Sequence, residues 1–189
     1  MLHSFFRVMA LLAALACGQA VADEALWALL KGGGQVVLLR HGLTTPGVGD
    51  PEGMSLDDCA SQRNLNDEGR AEARALGQAW RSRGILVGQL LSSPWCRCTE
   101  TARLAFGREA TVSPALGNLF GRPERQAQQV AQLKPLVGAR QAQGNTVMVS
   151  HGSTIAALTG VSPATAEMVV LTPHGGGRFS VAGRMKIAP

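Results

Sequence analysis

Tyrosine is absent from this sequence, and phenylalanine and tryptophan together bring aromatic residues to only 4%. Stacking platforms for bases are therefore scarce, and the arginines are scattered rather than clustered, so nucleic acid is not an expected partner. Charged residues are also few, at 16%, while hydrophobic residues reach 46%. That balance excludes a disordered chain. No apolar stretch attains the roughly 20 residues that cross a bilayer as a helix, so no stable membrane insertion is expected. There are four cysteines, and their spacing lacks the second ligand pair of a structural zinc site.

What is present suits one domain with a sizeable core in 189 residues. The formal charge of +5 favours anionic ligands or surfaces. The first 22 residues read as a secretory signal: Arg7 in the n-region, an apolar stretch from Val8 to Ala16, and a cleavage site at Ala20-Val21-Ala22. The mature chain is then 23–189, its formal charge falling from +5 to +4 with the loss of Arg7. A lipoprotein signal acylated at Cys17 is the rival reading, and Ala14-Leu15-Ala16 fits it poorly. Export implies a periplasmic or secreted protein and an oxidising compartment. Cys96 and Cys98 stand too close to bridge each other, so Cys59 is expected to pair with one of them, three buried thiols being the alternative.

Along the mature chain, strand-like and helix-like segments alternate. A short helix is expected over 24–31, a buried strand over 35–40, and a long Gly-, Pro- and Asp-rich loop over 43–63 of the kind kept for function. Helices are expected over 67–83, 99–106, 124–143 and 154–159. Strands are expected over 85–91, 111–115 and 146–150, with a closing pair at 168–171 and 178–187 around Gly175-Gly176-Gly177. This alternation predicts a three-layer α/β/α sandwich with a mostly parallel central sheet.

Two tripeptides, Arg40-His41-Gly42 and Ser150-His151-Gly152, each end an apolar strand, and they account for two of the four histidines. Ligands bind at the carboxyl ends of strands in open α/β sheets. Imidazoles beside an arginine there suit phosphoryl chemistry, with one to attack, one to stabilise and a guanidinium to hold oxygens. A third segment, Ser92-Ser93-Pro94-Trp95-Cys96-Arg97-Cys98-Thr99-Glu100-Thr101-Ala102, also follows a strand and puts Arg97 at a helix start.

With Arg40-His41-Gly42-Leu43-Thr44 and the helix pattern Leu65-Asn66-Asp67-Glu68-Gly69-Arg70-Ala71-Glu72-Ala73, these segments resemble the histidine phosphatase superfamily in its phosphoglycerate mutase-like branch. The resemblance spans about residues 35–160 and makes 23–189 one histidine phosphatase domain. It implies His41 as the nucleophile that carries a transient phosphoryl group. Arg40, Arg97 and His151 would be donors to the phosphoryl oxygens, with Thr44 and Gly152 as lesser contributors to the phosphate pocket. It implies no metal or cofactor, the cationic side chains spreading charge over the equatorial oxygens.

The sequence departs from the family pattern where the proton donor is expected. Asn118 stands at the position of the usual loop Glu, and an amide cannot donate a proton as an acid does. Glu124 is the preferred substitute, against a solvated first-turn role for the same residue. A long-loop acid (Asp50, Glu52, Asp57 or Asp58) or Glu167 is an alternative, as is a substrate whose leaving group needs no acid. Leu43 and Gly47 replace a Glu or Gln and an Asn often found in the family, Arg63 and Arg122 could grip a second anionic group, and His174 reads as exposed.

The expected function is an exported phosphatase acting on a small-molecule or glycolipid phosphomonoester, a lipopolysaccharide core heptose phosphate being one compatible substrate. The alternatives are a phosphoglycerate mutase-type phosphotransferase, a phosphohistidine protein phosphatase, and a non-catalytic anion-binding module. Oligomeric state is not legible in the sequence.

Overall fold

In the computed structural model, which describes residues 23–47 and 49–188, the apolar run before Arg40 is strand β1 (Val36–Arg40). The expected signal segment, and Cys17 with it, lies outside the described residues. Strand β1 pairs in parallel with β4 (Asn145–Ser150), and β4 pairs in parallel with β2 (Val87–Ser92). A two-residue edge strand, β3 (Thr111–Val112), extends the sheet beyond β2. On the other side of β1 the hairpin β5 (Glu167–Gly175) and β6 (Arg178–Lys186) adds two antiparallel strands. The order is β3-β2-β4-β1-β5-β6, with three of five pairings parallel. Every residue of β4 is buried, as a parallel strand covered on both faces requires.

Alternation along the strands feeds two cores. Val37, Leu39, Val147 and Val149 face Trp27 and Leu30 of helix α1 (23–31), Leu76 and Trp80 of α2 (Asp67–Ser82), and Ala102 and Ala105 of α3 (Cys96–Phe106). Val36, Leu38 and Met148 face Leu133 and Val137 of α4 (Gln126–Gly138) and Ile155 of α5 (Gly152–Thr159). The result is the expected three-layer α/β/α sandwich. Among the described residues no helix is long and apolar enough to cross a membrane.

The elements lie where the sequence reading expects them, with several boundaries displaced: β5 runs on to Gly175 where 171 was expected, and two helices differ for physical reasons. Helix α3 starts at Cys96, three residues before the expected Thr99. No side chain at Trp95 caps it; instead Gln62, from the long loop, accepts the Cys96 N–H at 2.9 Å. A cap supplied from 34 residues away leaves no local signal. Helix α4 stops at Gly138 rather than 143, because 139–143 carry no apolar face after the buried Val137. Its first turn, Pro123–Arg125, is a 3-10 turn. The edge strand is two residues long instead of five.

Candidate active site

Parallel pairing of β1 with β4 puts Arg40 beside Ser150, and the His41 N–H donates to the Ser150 carbonyl at 3.0 Å. The two histidines therefore leave adjacent strand ends together, with ring centroids 5.4 Å apart. Strand β2, on the far side of β4, delivers Ser93 beside them, its N–H donating to the Val149 carbonyl at 2.9 Å. Helix α3 then brings Arg97 in from the same side. Arg40, His41, Arg97 and His151 line one cavity of about 420 Å³, together with Arg63, Asn118 and Gly152.

The Arg40-His41-Gly42 turn lies unusually close to α2. A Cβ on Gly42 would sit 2.4 Å from the Gly69 carbonyl oxygen, and one on Gly69 would sit 2.0 Å from that of Leu43. Neither position accepts a larger residue without displacing the turn. Glu72, one turn along α2, accepts the Leu43 N–H at 2.8 Å, and Thr101 Oγ1 accepts the Gly42 N–H at 3.1 Å. Asn66 caps α2 by accepting the Gly69 N–H at 2.8 Å.

His41 is 4% exposed and its Nδ1 lies 2.8 Å from the Gly42 carbonyl oxygen. A carbonyl only accepts, so Nδ1 carries the hydrogen and Nε2 keeps its lone pair. Burial, with lesser contributions from Arg97, Arg40 and Arg63, lowers the imidazole pKa to about 3, against the opposing effect of the Gly42 bond. The ring is thus neutral and nucleophilic near pH 7. His151, 2% exposed, lies with Nε2 2.8 Å from Ser93 Oγ and Nδ1 3.4 Å from Arg97 Nη2. The guanidinium only donates, so Nδ1 accepts and Nε2–H donates to Ser93. Burial first, then His41 and the arginines, holds His151 well below the ordinary histidine range.

The guanidinium of Arg97 is 1% exposed and pairs with Asp50 through two bonds, Nη1 to Oδ1 at 2.6 Å and Nη2 to Oδ2 at 3.1 Å. Asp50 also accepts from Trp95 Nε1 at 3.1 Å and from the Arg63 N–H at 3.2 Å. Burial alone would raise its pKa; the bonds and charge of Arg97 hold it below the usual carboxylate value instead. Arg40 bonds the Pro163 carbonyl at 2.9 Å, and Arg63 bonds that of Gly47 at 2.5 Å. Burial lowers the pKa of both guanidinium groups. The Nε–H groups of Arg40, Arg63 and Arg97 are buried without an acceptor. The three guanidinium groups line one cavity and bring to it donors and positive charge that suit an oxyanion-rich group.

The remaining expectations fall on both sides of the cavity wall. Gly152 lines it at the start of α5. Thr44 forms a bridge with Leu65 and is not among the lining residues. Glu124, the preferred acid, sits in the exposed 3-10 turn beside Arg125 and does not line the cavity. Glu52, Asp57 and Asp58 are exposed, and Asp58 caps the turn Cys59–Ser61. Glu167 is buried against the Ala164 N–H and Arg184. Of the alternative acids, only Asp50 enters the site. Asn118 does line it, with Oδ1 accepting from Ser153 Oγ at 2.9 Å and the Phe120 N–H at 3.1 Å. Arg63 lines the cavity, and Arg122 lines a second one beside it. His174 is exposed and bonds Ser180.

Two contributors were not singled out from sequence. Ser93 orients His151, and the doubled serine of its motif was the available signal. Gln62 ties the long loop to α3, and nothing local marked it. The disulfide joins Cys59 to Cys96, with a Cα–Cα distance of 5.7 Å. Cys98 is free and buried, 3.6 Å from His151 Nε2, and burial pushes its thiol up to about 12. Among the described residues no group of three or more His, Cys, Asp or Glu side chains is arranged to hold a metal ion.

A family model described as histidine phosphatase superfamily (branch 1) matches residues 36–136, a span that holds Arg40, His41 and Arg97 and stops short of His151. No curated protein matches the chain by sequence. Among solved structures, the protein histidine phosphatase SixA complexed with tungstate superposes with a TM-score of 0.55 at 20% identity, covering 80% of this chain and 96% of that one. A mycobacterial glucosyl-3-phosphoglycerate phosphatase complexed with VO3 gives 0.56 at 22% identity, covering 78% and 97%. A phosphoserine phosphatase variant from Entamoeba histolytica, bound to phosphoserine, gives 0.55 at 14% identity, covering 79% and 95%. At these identities the likeness is one of fold.

Proposed function

The chain belongs to the histidine phosphatase superfamily, and from that premise we propose that it is an exported phosphatase that hydrolyses a phosphomonoester through phosphohistidine on His41. The observation that carries this reading is the neutral, buried His41, its Nδ1–H fixed on the Gly42 carbonyl and its Nε2 lone pair free, in one cavity with Arg40, Arg97 and His151. Nε2 attacks phosphorus, and the guanidinium groups hold the equatorial oxygens where charge concentrates in the transition state. His151 supplies a further donor to the phosphoryl group once a shift of its proton from Nε2 to Nδ1 is matched by Ser93, whose hydroxyl can reverse from acceptor to donor. Water then attacks the phosphohistidine, releasing inorganic phosphate and restoring neutral His41.

The Cys59–Cys96 disulfide supports export to an oxidising compartment, and so does the signal-like segment over residues 1–22. The second cavity beside the phosphate pocket gives room for a substantial leaving group, which suits small-molecule and glycolipid esters alike.

The test is hydrolysis of p-nitrophenyl phosphate by the exported protein, whose N-terminus is expected at Asp23, with and without EDTA. His41→Ala is expected to lose at least about 10³-fold in kcat/KM. A rapid quench of the parent protein should trap an acid-labile, base-stable phosphoenzyme absent from the variant. Undiminished turnover by His41→Ala would overturn the mechanism, and loss of activity in EDTA would overturn its metal-free form.

A further inference from the structure

The family's usual proton donor is an amide here, at Asn118, and Glu124 is outside the cavity. Asp50 instead stands at a boundary. The phosphate cavity and the second cavity, also about 420 Å³, share Gly49, Asn118 and Phe120. Asp50, Trp95 and Arg122 line the second cavity, while the carboxylate of Asp50 is held on Arg97, which lines the first. A phosphoryl group on Arg97 with its leaving group in the second cavity must place the scissile oxygen next to this carboxyl. The side chain is 11% exposed and is fixed from three sides, by Arg97, the Trp95 indole and the Arg63 N–H. That rigidity is what a positioned acid needs.

From this geometry we propose that Asp50 is the proton donor to the leaving oxygen. The proposal rests on the phosphatase reading above. The carboxylate occupies both terminal nitrogens of Arg97. An arriving phosphoryl group competes for those N–H donors and sets its negative charge beside Asp50. By taking Arg97 from Asp50 it removes the bonds and charge that hold the carboxyl low, and with a like charge beside it Asp50 can take the proton of the ester monoanion and pass it to the leaving oxygen. The charged groups facing Asp50 are Arg97, Arg63 and, across the second cavity, Arg122, with no second carboxylate among the lining residues.

The step balances. The His41 Nε2 lone pair forms the P–N bond and the P–O bond to the leaving group breaks. Its electron pair goes to the leaving oxygen, which takes the Asp50 proton and departs as the alcohol. The resulting carboxylate then takes a proton from the water that attacks phosphorus, the P–N bond breaks with its electron pair returning to His41 Nε2, and inorganic phosphate leaves.

The experiment measures kcat/KM, which reports the first phosphoryl transfer, across esters from p-nitrophenyl phosphate to glycerol 2-phosphate. For Asp50→Asn the expected loss is about 10²–10⁴-fold on the alkyl ester and less than about tenfold on p-nitrophenyl phosphate, whose leaving group departs without a proton. A cooperative thermal transition followed by circular dichroism establishes that the variant folds. Asp50→Ser is the second removal of the carboxyl if Asp50→Asn does not fold, with the same two outcomes. An equal loss on both esters, or none on the alkyl ester, overturns the proposal. A parent protein active on both esters with unchanged leaving-group dependence in the variants overturns Asp50 alone. A parent protein inactive on every ester overturns the phosphatase reading itself.

Discussion

The site has two halves built in different ways. One half, Arg40, His41 and His151, stands on the carboxyl ends of two central parallel strands. Ladder bonds and two buried cores fix its geometry. The other half, Asp50, Arg63 and the capping Gln62, is carried by the loop over 43–63, whose backbone makes few ladder bonds. Side-chain bonds to Arg97, Trp95 and Cys96 and one disulfide hold it in place. On the proposed reading the strand-end half would accept phosphorus and the loop half would meet the leaving group, a division of rigid support and tethered loop that would let one scaffold serve many esters.

The sharpest way to break the strand-end half without touching a reacting group is Gly42→Ala. The added methyl would meet the Gly69 carbonyl oxygen at 2.4 Å, backbone against backbone, so the turn carrying His41 must shift. The expected cost is about 10²-fold or more in kcat/KM, the scale of an ångström of misplacement. Equilibrium urea unfolding should show about 1–3 kcal/mol of destabilisation from overpacking. All esters should suffer equally, because the nucleophile is common to them. A variant that kept both activity and stability would show that the turn is not held against α2.

Releasing the loop half should read differently. The Cys59–Cys96 bridge closes a loop with a sequence separation of 37. Replacing both cysteines by serine is expected to lower stability by about 3–4 kcal/mol on chain-entropy grounds. The effect on p-nitrophenyl phosphate should stay under about tenfold, since leaving groups of this kind need no proton. Alkyl esters should lose more, because the freed loop carries Asp50. Equal losses on both would mean that the two halves are one mechanical unit.

The same division decides what could be read from the sequence. Arg40, His41, Arg97 and His151 were legible because each lies in a contiguous motif beside a strand, and the strands were legible from their apolar runs. The position of Asp50 was not. It is one of four loop acids of similar local surroundings, and only the tertiary path of the loop sets it on Arg97. The disulfide partner was undecided for a related reason. Residues two apart on a helix point about 200° from one another, so one of Cys96 and Cys98 faces the loop and the other the core. Which is which depends on where α3 begins, and a glutamine far along the chain sets that start. Local chemistry was therefore readable wherever backbone pairing fixes the geometry. It was unreadable wherever distant side chains do.

A third comparison separates the halves by pH. His41 has a folded-state pKa of about 3 against 6.5 for the free side chain, and His151 is likewise well below 6.5. The unfolded chain therefore binds more protons throughout that interval, and folding stability, full above about pH 6.5, falls as the pH drops toward 3. Asp50 is also held below its ordinary 3.8, so the stability it contributes is complete above that value and is lost only at lower pH. Between pH 6.5 and 4 the acid sensitivity of these groups belongs to the strand-end histidines alone. Thermal unfolding across that window should show a falling Tm whose slope is reduced in His41→Asn and retained in Asp50→Asn. A slope that flattened in the Asp50 variant instead would assign the proton uptake to the loop, and the two halves would have to be described as one titrating unit.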